Sequence, residues 1–290
     1  MPTEQQISRI NDVLYKIHRD TSAELSGHTL SQVAAYSEQH FHRIFHQVVG
    51  ESVHQYVRRT RLEQAANQLM FDRKRPIIEI AEQCGFASLS SFSKAFKDTF
   101  GLTPGRWRTQ DHDTTTPTYS TDEEIETAYR KLHSTDLPIP NLVELPDQPV
   151  AYVRHLGYGR GIRQAWQTLQ AWAAAEGRPF GTQLGLHHSN PTWVPLEQCR
   201  YVACLAIDKP VLRRGIVNSM CIPSGLHAAF DLTGGYGELL PYLSKILDHW
   251  LPSSGFRAKT TPAFVHYRKN QFLEPDERFD LTFYLPISFW

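Results

Sequence analysis

An internal repeat constrains this chain more than any other feature. Phe41, Phe45, Gly50 and Tyr56 return as Phe92, Phe96, Gly101 and Trp107, each 51 positions later; before the turn, Leu30 and Tyr36 return as Ile80 and Phe86 at an offset of 50. The second copy, Pro76 to Arg108, reads as a helix-turn-helix: a short helix over Ile77 to Gln83, a turn at Gly85, and a second helix from about Ser88 to Phe100. The first copy is weaker. Two such units in one chain predict a protein that meets two neighbouring turns of a duplex without a partner chain.

The surrounding pattern is helical. Over residues 5 to 20, Ile7, Ile10, Leu14 and Ile17 share a face. Ser26 fits the N-cap of a helix running to Ala34. A helix from about Glu38 to Val48 turns Phe41, Ile44, Phe45 and Val48 inward, and Gly50 ends it. A long helix from about Ser52 to Met70, with Val53, Tyr56, Val57, Ala65, Ala66 and Leu69 inward, joins the two units. At 1.5 Å per residue its length is about 27 Å, close to the roughly 34 Å of one DNA turn.

With 290 residues there is room for two domains. No apolar run of about 18 residues occurs, and the opening MPTEQQISRI lacks the basic and apolar regions of a secretory signal, so a cytoplasmic protein with no membrane contact is expected. Cys84, Cys199, Cys204 and Cys221 form no CxxC pair and read as reduced, mostly buried thiols. The net charge of zero hides a split. Up to Arg108 there are 14 Lys+Arg against 11 Asp+Glu, a balance of +3, and the remainder carries −3. The excess clusters at Arg58, Arg59 and Arg61 and at Arg73, Lys74 and Arg75, as contact with a phosphate backbone requires.

These features divide the chain into an all-α domain over 1–108, with units at about 26–50 and 76–101, a polar linker over 109–141, and a second domain over 142–290. Around Glu123 to Leu132 the linker has the pattern of a helical turn or more. The second domain repeats internally at an offset of 78: Tyr152 pairs with Phe230, Tyr158 with Tyr236, Trp172 with Trp250, His188 with His266 and Tyr201 with Phe279. Each copy reads strand, Gly-rich turn, amphipathic helix, strands. The expected fold is α+β with a pseudo-two-fold axis, an antiparallel sheet and a cleft where the halves meet.

A helix in the major groove presents its outward polar positions to base edges. In the first unit these are Gln39, His42, Arg43 and His46; in the second, Ser90, Ser91, Lys94 and Lys97. Arg108 is a further candidate for DNA contact. Arg43 suits guanine and Gln39 adenine. Each position equally fits a solvated helix face, and the doubled motif weighs against that for Arg43 and Lys94. His42 and His46 have the i, i+4 spacing of metal ligands, but no third ligand stands near, so no metal is expected. There is no G-x-S-x-G, Walker loop or H-E-x-x-H, and no catalytic residue or cofactor is expected. Tyr152, Tyr158, Trp193, Phe230, Tyr236, Phe264, His266 and Tyr267 are candidates to line a ligand cleft, although core packing is the commoner fate of such residues.

Residues 5–108 resemble the DNA-binding domain of AraC/XylS-type regulators. The resemblance rests on Arg61-x3-Ala65-x3-Leu69, Ile80-Ala81-x2-Cys84-Gly85-Phe86-x-Ser88, Phe92, Lys94, Phe96-Lys97, Phe100-Gly101, Thr103-Pro104 and Trp107-Arg108. Residues 142–290 resemble a GyrI-like effector-binding domain through Val150-x-Tyr152, Gly157, Gln198-Cys199-Arg200-Tyr201, Ile222-Pro223-x-Gly225 and Tyr284-x-Pro286-Ile287. The resemblance implies a transcription regulator that binds double-stranded DNA as a monomer and senses a small molecule or protein, with RNA polymerase as a further partner. Three departures stand out. Gln39 replaces a frequent Trp. Ala35 replaces the turn glycine, which adds about 1 kcal/mol of strain if φ is positive there. Val265 stands where cation sensors of the family carry a buried Glu, which favours a neutral or aromatic ligand. Two other readings remain open: a ligand-sequestering protein, marked by tight binding without change in DNA affinity, and a GyrI-like hydrolase fused to a DNA-binding domain.

Overall fold

The computed structural model describes residues 2–109, 123, 127, 128, 130, 132, 135–191, 193–209, 211, 216–259 and 261–289. Two compact units emerge: Met1–Asp111 with Leu212–Asn218, and His112–Val211 with Ser219–Trp290. The linker expected over 109–141 lies largely outside the described residues; within it Glu123, Thr127, Ala128, Arg130 and Leu132 are helical.

The first unit is all helix: α1 (Glu4–Arg19), α2 (Gly27–Val33), α3 (Glu38–Val49), α4 (Val53–Phe71), α5 (Ile77–Gln83), α6 (Leu89–Phe100) and α7 (Pro104–Thr109). The caps explain the boundaries. Thr3 with Gln6 and Ser52 with Gln55 form capping boxes at the starts of α1 and α4. Ser26 and Ser88 accept the amides of Thr29 and Ser91. Gly50 and Gly101 close α3 and α6 in the left-handed region, at φ 86° and 75°. Phe41, Phe45 and Tyr56 fill the first core with Ile10, Val13, Ile17 and Leu30. Around α6, Phe92, Phe96, Phe100 and Trp107 pack ring on ring. The Trp107 indole donates to the Ala66 carbonyl at 3.3 Å and thereby seats α7 on α4.

Ala35 has φ 52°, and its counterpart Gly85 has φ 76°. The first turn is therefore built in a conformation that disfavours a Cβ. Two arginines support the turns. Arg9 donates to the carbonyl of Ala35 at 3.0 Å and lies over the Tyr36 ring. Arg61 donates to the carbonyls of Thr21 and Ala23, at 2.9 and 3.0 Å, and its guanidinium fills the space beside Gly85, where an added Cβ would come within 2.6 Å of it.

The second unit is α+β. Its strands are β1 (Asn141–Leu145), β2 (Gln148–Leu156), β3 (Gln183–His187), β4 (Arg200–Ala206), β5 (Asn218–Ile222), β6 (Gly225–Gly235), β7 (Phe256–Ala258), β8 (Ala263–Lys269) and β9 (Arg278–Phe289). Its described helices include α8 (Ile162–Ala175) and α9 (Leu239–Lys245), the latter continuing through a π-helical turn, Ile246–Trp250, into Leu251–Ser253. The sheet order is β1-β6-β9-β8-β3-β4-β2-β5, with β7 paired to β9. Exchanging each strand for its repeat partner reverses this order, so a pseudo-two-fold axis passes between β3 and β8. Each repeat's first strand pairs outside its own repeat: β1 lies against β6, and β5 beside β2.

Candidate functional site

The first unit exposes two equivalent helix faces. On α3, Gln39, Arg43 and His46 are exposed, and on α6, Ser90, Ser91, Lys94 and Lys97 are exposed. Arg43 and Lys94 occupy the same position of the repeat, one turn beyond Gln39 and Ser90. Phe41, Ile44 and Phe45 hold α3 from behind, and Phe92, Ala95 and Phe96 hold α6. The side chains available to a groove are thus fixed by the buried ones between them. Arg43 Nη2 lies 3.0 Å from His40 Nδ1, which steadies its fork.

Two of the expected contact residues make contacts within the helical unit, and a third, Arg108, is enclosed. His42 is half-buried, stacks on His54 at 5.3 Å and reaches Glu38 at 3.7 Å. The Ser91 hydroxyl donates to the Ser88 carbonyl at 2.9 Å, within the α6 cap. Arg108 is half-buried, with Nε and Nη2 enclosed; burial lowers its pKa and the Asp72 charge opposes that shift. The basic clusters divide in the same way. Arg59 is ion-paired to Glu51 and to Glu63, the latter at 2.8 Å, while Arg61 holds backbone carbonyls and Arg75 lies 3.0 Å from Asp72. These arginines build the helical unit. Arg58 remains exposed, 3.9 Å from Asp98.

In the second unit the strand register divides the eight ligand candidates between two faces and the loops. Tyr152 and Phe264 belong to one cluster, with Leu184, Leu186, Val202, Cys204 and, at its border, Tyr284. His266 shares that face through its register with Leu184. Tyr267, Tyr158 and Phe230 lie on the opposite face. Tyr267 packs on Trp166 of α8 and its hydroxyl meets that of Tyr201 at 3.1 Å. Tyr158 bonds the carbonyls of Ser189 and Arg200. Phe230 meets Trp250 at 5.0 Å. Tyr236 is half-buried under the Arg160 guanidinium, 3.9 Å from its ring centre, and Trp193 stands half-buried on a turn. The geometry thus gathers Tyr152, Phe264 and His266, and leaves the other five apart from them.

Val265 alternates with Phe264, pairs with Phe283 and is fully buried on the helix-covered face. A carboxylate there would not look toward Tyr152. Two residues absent from the sequence-based candidates join the Tyr152 cluster: Tyr284 stacks on Phe264 at 4.9 Å and His227 meets it edge-on at 5.5 Å. The period-2 pattern of β9 carries Tyr284; only the order β9-β8 places it beside Phe264. Burial lowers the pKa of His266, with Arg268 adding to the effect, and burial also lowers that of His227. Among the described residues no group of three or more His, Cys, Asp or Glu side chains is placed to hold a metal ion, and no helix is long and apolar enough to cross a membrane.

A family described as "Helix-turn-helix domain" matches residues 30–110, and one described as "GyrI-like small molecule binding domain" matches residues 139–288. The probable transcriptional regulator LumQ of Photobacterium leiognathi is 37% identical over 107 residues, 36% of this chain and 43% of that protein. The HTH-type transcriptional activator AarP of Providencia stuartii is 33% identical over 109 residues, 38% of this chain and 80% of that protein. The right origin-binding protein of Escherichia coli strain K12 is 35% identical over 103 residues, 36% of this chain and 35% of that protein. The match thus spans less than half the length of the first and third of these relatives.

Proposed function

Because this chain belongs to the AraC/XylS-type regulators that carry a GyrI-like small-molecule-binding domain, we propose that it is a sequence-specific transcription regulator. One chain engages double-stranded DNA through α3 and α6, each in the major groove of an adjacent half-site, and acts in the cytoplasm by binding rather than by turnover. The observation that carries this reading is the equivalence of the two exposed faces: Gln39 and Arg43 on one helix match Ser90 and Lys94 on the other. In this reading Arg43 forks onto guanine, Gln39 onto adenine, and Lys94 and Lys97 hold phosphate or guanine. Arg58, Arg73 and Lys74 supply the sequence-independent attraction.

The second domain takes an aromatic small molecule on the face of Tyr152, Phe264, Tyr284 and His266. Tyr284 and His266 are half-buried while Tyr152 and Phe264 are closed in beside them, so the first two are the rings such a ligand would meet first, and burial disfavours the charged form of His266 and His227. Regulation requires the ligand to favour one of two states of the protein that differ in DNA affinity. RNA polymerase is the partner through which a bound regulator of this kind changes transcription.

Binding of the purified chain to a pool of random-sequence duplexes, repeated at rising salt, tests the proposal. Enrichment of a motif with two adjacent half-sites, weakening steeply with salt, is the expected result. Weak binding with no motif would sink the reading and turn attention to sequestration.

A further inference from the structure

The two reading helices differ in the residue that opens them. α3 begins with Glu38, whose carboxylate lies 4.0 Å from His28 Nδ1 and 3.7 Å from His42 Nε2. α6 begins with Leu89. At the offsets of the repeat, Ile78 stands for His28 and Leu89 for Glu38. A polar pair in the first unit is therefore an aliphatic pair in the second. Both aliphatic residues are left in water, Ile78 at 48% and Leu89 at 40% exposure.

The fold does not call for this. The second core is filled by Phe92, Phe96 and Trp107, and the α6 cap is made by Ser88 and Ser91. Leu89 adds to neither, and its neighbours on the exposed face, Ser90 and Lys94, are polar. The first residues of a reading helix are those that meet base edges. In the major groove one base carries an apolar group there, the C5 methyl of thymine, and it distinguishes thymine from cytosine by contact rather than by hydrogen bonding.

We propose that Leu89 reads a thymine methyl group in the half-site under α6, while the half-site under α3 carries no such preference because Glu38 stands at the matching place. This rests on the DNA-binding reading above. It makes the two half-sites chemically unequal and fixes the direction in which one chain lies on its site.

The test uses the full chain and a duplex recovered from the random pool. Each thymidine is replaced in turn by deoxyuridine, which removes the methyl and leaves pairing intact. Arg43→Ala identifies the half-site under α3 as the one whose base preference it relaxes, and the other half-site is the one under α6. In that half-site at least one replacement should weaken binding about four-fold, the worth of one buried methyl. Leu89→Ala should bind the thymidine and deoxyuridine duplexes equally, and Leu89→Met should keep the distinction. Equal sensitivity in wild type and Leu89→Ala, sensitivity confined to the half-site under α3, or no sensitive position would overturn the assignment. A patch that serves a protein partner gives the last of these results. If no duplex is enriched at all, the DNA reading falls and this assignment with it.

Discussion

In the first helix-turn-helix the turn residue is Ala35, in the left-handed region, with its carbonyl held by Arg9; in the second it is Gly85, with the Arg61 guanidinium where a side chain would begin. Arg9 and Arg61 stand 52 positions apart, on the helices that precede the two units. One arginine grips the turn by its carbonyl and leaves room for a methyl group. The other reaches back to Thr21 and Ala23 and lies flat on the turn, where no methyl fits. The same bend is thus reached by two devices, and they tolerate different substitutions. In the proposed reading the comparison also separates roles on the surface, because α3 carries the forked donor Arg43 and α6 carries the point charges Lys94 and Lys97.

The largest expected effect tests Arg61. Arg61→Ala removes two charge-assisted bonds to backbone carbonyls that tie α4 to the segment before α2, and should destabilise the helical unit by about 3 kcal/mol. Arg9→Ala should cost about 1 kcal/mol by the same denaturant titration. Equal losses would erase the distinction. Next, Gly85→Ala combines an unfavourable φ with displacement of the guanidinium, and a loss of about 2 kcal/mol is expected, with no such loss in an Arg61→Ala background beyond the backbone cost. On the surface, Arg43→Ala should weaken specific DNA binding by about 2 kcal/mol and relax preference at one base, whereas Lys94→Ala should cost about 1 kcal/mol. Titrations of the selected duplex and of single-base variants read both. The smallest effect is Ala35→Gly. Relief of the left-handed strain is offset by the entropy of glycine, leaving a gain of about 0.5 kcal/mol in thermal unfolding. A loss there would mean that Ala35 is not strained.

What the sequence made legible is local. Ser26, Ser52, Gly50 and Gly101 announce helix ends by their own chemistry, and the 51-residue offset carries one reading onto the other. The 78-residue offset and the strand patterns announce an antiparallel sheet. Long-range pairing is where local signals end. Nothing in NLVEL or NSMCI says that each first strand crosses to the other repeat, because edge pairing is decided by neighbours distant in the chain. For the same reason the ligand candidates were legible as aromatics but not as a group. Tyr267 and His266 are adjacent in sequence and point to opposite faces, and only the helices show which face is covered. The basic clusters misled in a related way: Arg59 and Arg61 look like phosphate contacts until Glu51, Glu63 and the carbonyls of Thr21 and Ala23 are seen around them.

The central claim is that one chain reads two half-sites with two unequal helices. The most direct measurement is the stoichiometry and affinity of the purified chain on its selected duplex, with each half-site scrambled in turn, by native mass spectrometry and titration. The account predicts one chain per intact duplex, and a loss of affinity on scrambling either half, larger for the half under α3. Two chains per duplex, or indifference to scrambling either half, would contradict it.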